Sequence, residues 1–343
     1  HLSSIAPARS AVLRRIKPGA PTIIRRMGEF ELIRRHFTRA PRRAPLGVGA
    51  DCALLAVATG MQLAVSSDLL IEGRHFLSTV PPDRLGHKAL AVNLSDLAAC
   101  GAAPLAFTLA LSMPRADEAF VADFARGLFA LAEAHEVDLV GGDTTAGPLA
   151  ICITAFGEVP AGQALLRSGA RAGDELWVSG PLGDARLALE AFRGTVVLAG
   201  ADFDAVRLAM EQPQPRVALG QALRGIATSA IDLSDGLAGD LGHVLAASDV
   251  GARLELAAIP RSPVLQRQSA EWQATCLLHG GDDYELLFSA PASARGAVLA
   301  AGQRVGVLPS CIGRVEAEPG LRVADAEGRV RPLDPRGFDH FVG

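Results

Sequence analysis

Eight aspartates lie in or beside apolar runs, several of them directly after a strand-like run and next to Gly, Ser or Thr. Asp51 lies in GVGADCALL, Asp68 closes AVSSD, Asp96 lies in VNLSDLA and Asp143 closes LVGGD. Asp232 and Asp235 bracket Leu233 and Ser234 in AIDLSDGL, and Asp282 and Asp283 are adjacent in HGGDDYELLF. Any one of them has an ordinary explanation, because Asp or Ser after a strand commonly caps the next helix. Together they form a set of hard oxygen donors without a Cys or His cluster, which suits Mg²⁺ rather than zinc. Mg²⁺ shares its coordination shell with phosphate oxygens and water, so an acid-rich site can hold a nucleotide through bridging ions. The residues themselves indicate Mg²⁺-dependent chemistry on a nucleotide or phosphate.

Other residues narrow this. Lys17 and Lys88 are the only lysines, and neither follows a glycine run, so a P-loop is excluded. No Ser–His or Cys–His arrangement suggests a covalent nucleophile. Cys52, Cys100, Cys152, Cys276 and Cys311 are widely spaced and odd in number; they read as free thiols of a reducing cytoplasm. The formal charge is −4, although six of the 33 basic residues fall in the first 26 positions, which hold no acid. The rest of the chain is therefore markedly acidic, a poor match for nucleic acid. No run approaches the ~20 apolar residues of a membrane span.

These aspartates must be positioned by alternating strands and helices, which predicts an α/β chain with room for mixed sheets. Helical spacing marks residues 29–37, 83–100 and 117–136. Strand-like apolar runs are GVGADCALLAV, MQLAVSSDLL, FTLALSM, VDLVGGD and LAICITAFGEV. The pattern pauses near Val159–Gly162, and a second unit starts with ELWVSG. It continues with a helix from Gly183, a Gln-Pro-Gln-Pro break at 212–215, a helix over 217–226 and the strand SAIDLSD. The helix GLAGDLGHVLAAS and the strands ARLELAAI, YELLFSA and CIGRV follow. In open α/β architectures ligands bind beyond strand ends, where such residues converge. The expected units are residues 27–160 and 161–343. Residues 1–26, rich in Arg and broken by Pro7, Pro18 and Pro21, read as a disordered or cloning-derived extension ahead of Met27; a transit peptide is the alternative.

The strings MGEFELI, GVGADCALL, SSDLLIEGRHF, KALAVNLSDLAACGA, LVGGDTTAGPL, RSGARAGDELWVSG, SAIDLSDGL, GGDDYELLF and GFDHF occur in order from Met27 to Phe341. This ordered series resembles the thiamine-monophosphate kinases, members of the aminoimidazole-ribotide-synthetase-like superfamily. The resemblance implies transfer of the ATP γ-phosphate to thiamine monophosphate, giving thiamine diphosphate. It also implies a two-domain α/β fold whose N-terminal mixed sheet pairs with its twin in a homodimer. Carried over by position, Mg²⁺ ligands match Asp51, Ser66, Ser67, Asp68, Asp96, Asp143, Asp232 and Asp235, with Asp68, Asp96 and Asp143 at the catalytic centre. ATP contacts match Gly142, Asp143, Arg167 and Ser234; thiamine-phosphate contacts match His75, Asp282 and Phe338.

Two positions depart from the family pattern. Ala50 replaces the first of two consecutive aspartates, and Asp282 replaces a glutamate, shortening the substrate-side acid by one methylene. The competing readings are another ATP-dependent synthetase of the superfamily and a nucleotide-binding homologue impaired by these two changes. Lys88, at the start of the helix carrying Asp96, reads equally as a phosphate contact or an exposed helix cation. His36, His87, His135 and His243 read as surface or packing residues, and Trp177 and Trp272 as packing.

Overall fold

The computed structural model describes residues 29–49, 51–335 and 337, so the 1–26 extension and Ala50 lie outside the described residues. Two sheets organise it. The first has the order β1-β4-β2-β3, from β1 (Met61–Ile71), β2 (Ala103–Met113), β3 (Asp138–Ala146) and β4 (Ala150–Pro160). Only β2 and β3 run parallel; the other neighbours are antiparallel. Ahead of β1 lies a short helix, α1 (Glu29–Leu32), prolonged by a π-helical turn, Ile33–Phe37. Helices α2 (Pro82–Ala99) and α3 (Glu118–Ala134) cover one face of this sheet.

The second sheet has the order β11-β10-β7-β9-β5-β8-β6. Its strands are β5 (Asp174–Val178), β6 (Ser229–Asp232), β7 (Gly251–Glu255), β8 (Leu286–Pro291), β9 (Ser310–Glu316), β10 (Gly320–Ala324) and β11 (Val330–Leu333). Its helices are α4 (Asp184–Phe192), α5 (Gly200–Glu211), α6 (Val217–Ala222), α7 (Leu237–Ser248), α8 (Pro263–Gln266), α9 (Ala270–His279) and α10 (Arg295–Arg304). This is a mixed α/β protein, as expected, but its sheets are mostly antiparallel. Asp68 and Asp143 therefore lie inside strands, and Asp96 inside a helix, rather than beyond the ends of parallel strands.

The pivotal element is α2. Pro82 at its first turn supplies a preset φ. From Leu85 onward almost every residue is buried, whether apolar or not, which marks a helix enclosed on all sides. On one side α3 crosses it closely: a Cβ at Gly86 would run into the carbonyl oxygen of Phe124, and one at Gly127 into that of Asp83. On the other side α2 packs against α5, α6, β6 and β8. One apolar core consequently runs from Leu90, Leu94 and Phe107 through to Trp177 and Phe288 of the second sheet. Trp177 stacks on Phe288 with ring centroids 6.4 Å apart, a packing role as expected. A second core, including Leu187, Leu241 and Leu277, fills the far face of that sheet.

Three expectations are corrected. The described residues of 47–57 form no strand; Leu54 makes an isolated bridge to Leu46, the run being rich in Gly and Ala and poor in β-branched residues. Helix α6 stops at Ala222 rather than 226. The strand expected from Tyr284 begins at Leu286, because Asp282 and Tyr284 adopt positive φ. Among the described residues no helix is long and apolar enough to cross a membrane.

Candidate active site

Period-2 alternation along β1 decides which of its polar residues can reach α2. Ser66 and Asp68 point to that side. The Ser66 hydroxyl donates to Asp96 Oδ2, and the Asp68 backbone N–H donates to Asn93 Oδ1 at 3.2 Å. Asn93 is itself held by donating to Ala89 O at 3.0 Å, one turn back. Ser67 points to the opposite face, where its hydroxyl meets Thr154 Oγ1 at 3.0 Å.

From the second sheet, Asp232 at the end of β6 and Asp235 in the turn after it complete the group. Burial, and then the charge of Asp96, pushes the Asp68 carboxyl up to about 7, with Asp235 adding to the effect. Burial and the same Asp96 charge push Asp232 up to about 8. Asp96 is raised by burial, against the Ser66 hydroxyl and the Arg167 guanidinium, which both favour its charged form. Four predicted ligands, on β1, on α2, at the end of β6 and in the turn after it, thus form one electrostatically interacting group. Arg167, an exposed side chain, lies within electrostatic reach of Asp96.

The turn carrying Asp235 is held by Asp240, a residue the sequence reading did not single out. Its Oδ2 accepts the backbone N–H groups of Ser234, Asp235 and Gly236 at 3.1, 3.0 and 3.1 Å. Burial pushes Asp240 up to about 7 even so. The available signal was an acid in the first turn of α7 after a Ser-Asp-Gly turn.

The remaining predicted residues are placed as follows. Asp51 and Asp143 are exposed. The register aligns Asp68, Ile153, Leu109 and Gly142 across the sheet. Asp143, next to Gly142, is thus three strands from Asp68, roughly 14 Å at 4.8 Å per strand. Gly142 has a φ of 144°, and a Cβ there would overlap the Leu109 carbonyl, so the backbone before Asp143 requires glycine. His75, in the turn after β1, accepts the Ile71 N–H on Nδ1 at 3.0 Å. Asp282 is half-buried and pairs with Lys88. Phe338 lies outside the described residues.

Among the described residues no three His, Cys, Asp or Glu side chains form a ready-made metal cage. The chemistry of the donor set nevertheless fits a hard cation: a divalent ion would relieve carboxylates that burial and the charge of Asp96 hold above their ordinary range.

Comparison with known proteins identifies the family and the fold. Residues 49–159 match the AIR synthase related protein N-terminal domain, and residues 171–326 the corresponding C-terminal domain. The thiamine-monophosphate kinase of Escherichia coli (strain K12) is 46% identical over 320 residues, covering 92% of this chain and 98% of the relative. The chain belongs to the thiamine-monophosphate kinase family. The crystal structure of the thiamine-monophosphate kinase from Stenotrophomonas maltophilia K279a superposes with a TM-score of 0.78 at 44% identity, covering 82% of this chain and 91% of that one. AaThiL complexed with AMPPCP and TMP gives 0.72 at 28% identity, over 83% and 89%. Escherichia coli HypE, a hydrogenase maturation protein, reaches 0.73 at 22% identity over 90% and 97%, a likeness of fold alone.

Proposed function

We propose that this chain transfers the γ-phosphate of ATP to thiamine monophosphate, producing thiamine diphosphate. The observation that carries the reading is the convergence of Asp68 and Asp96 with Asp232 and Asp235 at one cleft, in a chain whose relatives are thiamine-monophosphate kinases. Mg²⁺ bound there would neutralise the two polyanions that must meet, the ATP triphosphate and the acceptor phosphate. Asp68, Asp96, Asp232 and Asp235, with Ser66, are the residues that would hold it, and Asp51 and Asp143 would be carboxylate ligands for further ions. Ser67 faces away and contributes, if at all, through its backbone.

The remaining roles follow from position. Gly142 lets the backbone come close to a phosphate, and Arg167 supplies a fixed cation. The Ser234 N–H stays with Asp240, leaving its hydroxyl for the nucleotide. His75, Asp282 and Phe338 take the organic end of the substrate. The acceptor oxygen is already ionised near neutral pH, so in-line attack needs positioning rather than a strong base.

The protein is further read as a cytoplasmic homodimer of two-domain protomers, divided at residues 160 and 161. Support for the dimer lies on the outer face of edge strand β1, where Leu63, Val65, Leu69 and Ile71 are 45, 56, 50 and 38% exposed. An apolar edge of this kind calls for a partner.

The test is a panel of phosphate acceptors with ATP and Mg²⁺, monitored for thiamine diphosphate, together with rapid-quench labelling from γ-labelled ATP. Thiamine monophosphate is expected to be the acceptor, with no phosphorylated enzyme. Turnover of unphosphorylated thiamine alone, or none of the monophosphate, overturns the assignment; a kinetically competent phosphoenzyme overturns direct transfer.

A further inference from the structure

Lys88 is the only lysine among the described residues, and its side chain is 3% exposed. From α2 its Nζ donates to Asp282 Oδ2 at 2.8 Å, across 194 residues of sequence. The phenol of Tyr284 donates to the other oxygen, Oδ1, at 3.1 Å. Both donors are buried, whereas the Asp282 side chain is 35% exposed. The carboxylate is therefore gripped from its buried side, one donor per oxygen, and turns its remaining lone pairs to the cleft.

The backbone is bent to present it this way. Asp282 and Tyr284 have φ of 68° and 50°, values that non-glycine residues keep only where the surroundings enforce them. The enforcement is visible: Asp282 N donates to Ser234 O at 2.9 Å and Tyr284 N to Leu233 O at 2.8 Å. The loop is thereby fastened to the segment between Asp232 and Asp235. The phenol is held in its protonated, donating form by burial and by the charges of Asp282, Asp68 and Asp232.

A buried ion pair of this kind is weak as a source of stability, since an apolar residue of similar volume often does as well. Its distinctive property is geometric. We propose that Lys88 is a positioning residue for the substrate: it holds Asp282 in the one orientation that receives the organic end of thiamine monophosphate. That end offers a ring cation and an exocyclic amine, and both call for a fixed carboxylate acceptor. The proposal rests on the kinase reading above. It also accounts for an acid one methylene shorter than the family's: with both oxygens held, the short side chain loses nothing to rotation.

The test is a kinetic cycle on the full chain with Lys88→Met, Asp282→Asn, the double variant and Tyr284→Phe, each checked by thermal melting. Lys88→Met and Asp282→Asn should each raise KM for thiamine monophosphate about tenfold or more, leaving KM for ATP within about twofold. The double variant should be no worse than Asp282→Asn alone, because Lys88 acts through Asp282. Tyr284→Phe should raise the same KM by a smaller factor, and carries the test if Lys88→Met fails to fold. Multiplying effects in the double variant, or a lower kcat with unchanged KM in Lys88→Met, overturn the proposal. An unchanged KM in Lys88→Met or Tyr284→Phe beside a raised one in Asp282→Asn overturns it while the kinase reading stands. A wild-type chain that makes no thiamine diphosphate overturns both.

Discussion

Replacing Asp68 by Asn should make the protein more stable and nearly inactive. A carboxyl that titrates at about 7 instead of its ordinary 3.8 reflects the difficulty of charging it in the folded cleft. At 1.36 kcal/mol per tenfold change in proton affinity, the native state at pH 8 bears about 4 kcal/mol of unfavourable charge at this position. Asp96 shares that burden, so removing one charge should recover only about half, or ~2 kcal/mol. Asn keeps the shape and donates to Asp96 as the shared proton did. In a chain of 343 residues the gain is about 3 °C in melting temperature.

The pH dependence fixes the sign. The folded-state value is raised, so the wild type sheds its proton on unfolding anywhere between pH ~4 and ~7. Its stability therefore falls as pH rises through that window. The advantage of Asp68→Asn should be full above pH ~7, shrink toward pH 4 and vanish below it. Saturating Mg²⁺ should narrow the gap, because a cation that binds only the folded wild-type cleft stabilises it by mass action. Turnover should fall by roughly 10²–10³-fold, the scale of losing one charge-stabilising group. Melting curves in chelator at pH 8 and pH 4.5, with turnover in Mg²⁺, read all three effects. An Asn variant melting no higher than wild type at pH 8, or gaining as much at pH 4.5, refutes the mutual repulsion. Near-normal turnover refutes a catalytic place for Asp68.

Asp143→Asn should lower turnover comparably without the stability gain, since Asp143 is exposed and lies outside the repelling group; a rise in melting temperature matching that of Asp68→Asn counts against the division. Gly142→Ala should cost about 2–4 kcal/mol by urea denaturation and impair turnover, because its φ of 144° and the Leu109 carbonyl leave no place for a Cβ. Burial holds His87 below its ordinary 6.5, so stability should drop as pH falls from about 7 toward 5; His87→Gln, which still donates to Pro213 O, should reduce that drop by up to about 1 kcal/mol. Val65→Asp with Leu69→Asp should give a monomer by sedimentation velocity while wild type sediments as a dimer.

What was legible in the sequence was local. The 83–100 helix was found within a residue of its true ends, because Pro82 and a dense apolar pattern announce it. Ser66 and Ser67 were assigned alike, although period-2 alternation on β1 already separates them. Long-range pairing was not legible. Nothing local to residues 47–57 says that no strand will lie beside them, or that β9 will pair between β5 and β7. The partner of Lys88 lies 194 residues away. Lys88 is neither an exposed cation nor a phosphate contact in the structure but a buried cation holding a carboxylate. The signal that could have favoured burial was the spacing Arg84, His87, Lys88, one face of a helix whose other faces are apolar.

That face explains how an acidic cleft can exist before any cation arrives. The charge of Asp96 on α2 opposes both Asp68 of the first sheet and Asp232 of the second, so something else must hold the sheets together. Arg84 donates to Glu211 Oε2 at 2.9 Å, and Arg207 donates to Oε1 of the same residue at 2.8 Å and reaches Thr79 O at 2.8 Å. His87 Nε2 donates to Pro213 O at 2.8 Å, and Lys88 takes Asp282. These contacts occupy the N-terminal turns of α2, while Asn93 and Asp96, one to two turns further on, face the cleft. One rigid helix thus carries the fastening at one end and the repulsion at the other. The Arg84, Arg207 and Lys88 bonds to Glu211 and Asp282 are charge-assisted and half-buried, so they are screened less than surface pairs would be. The acids are consequently preorganised, and a cation bound with the nucleotide would discharge an electrostatic strain already built into the fold instead of assembling a site from separate parts.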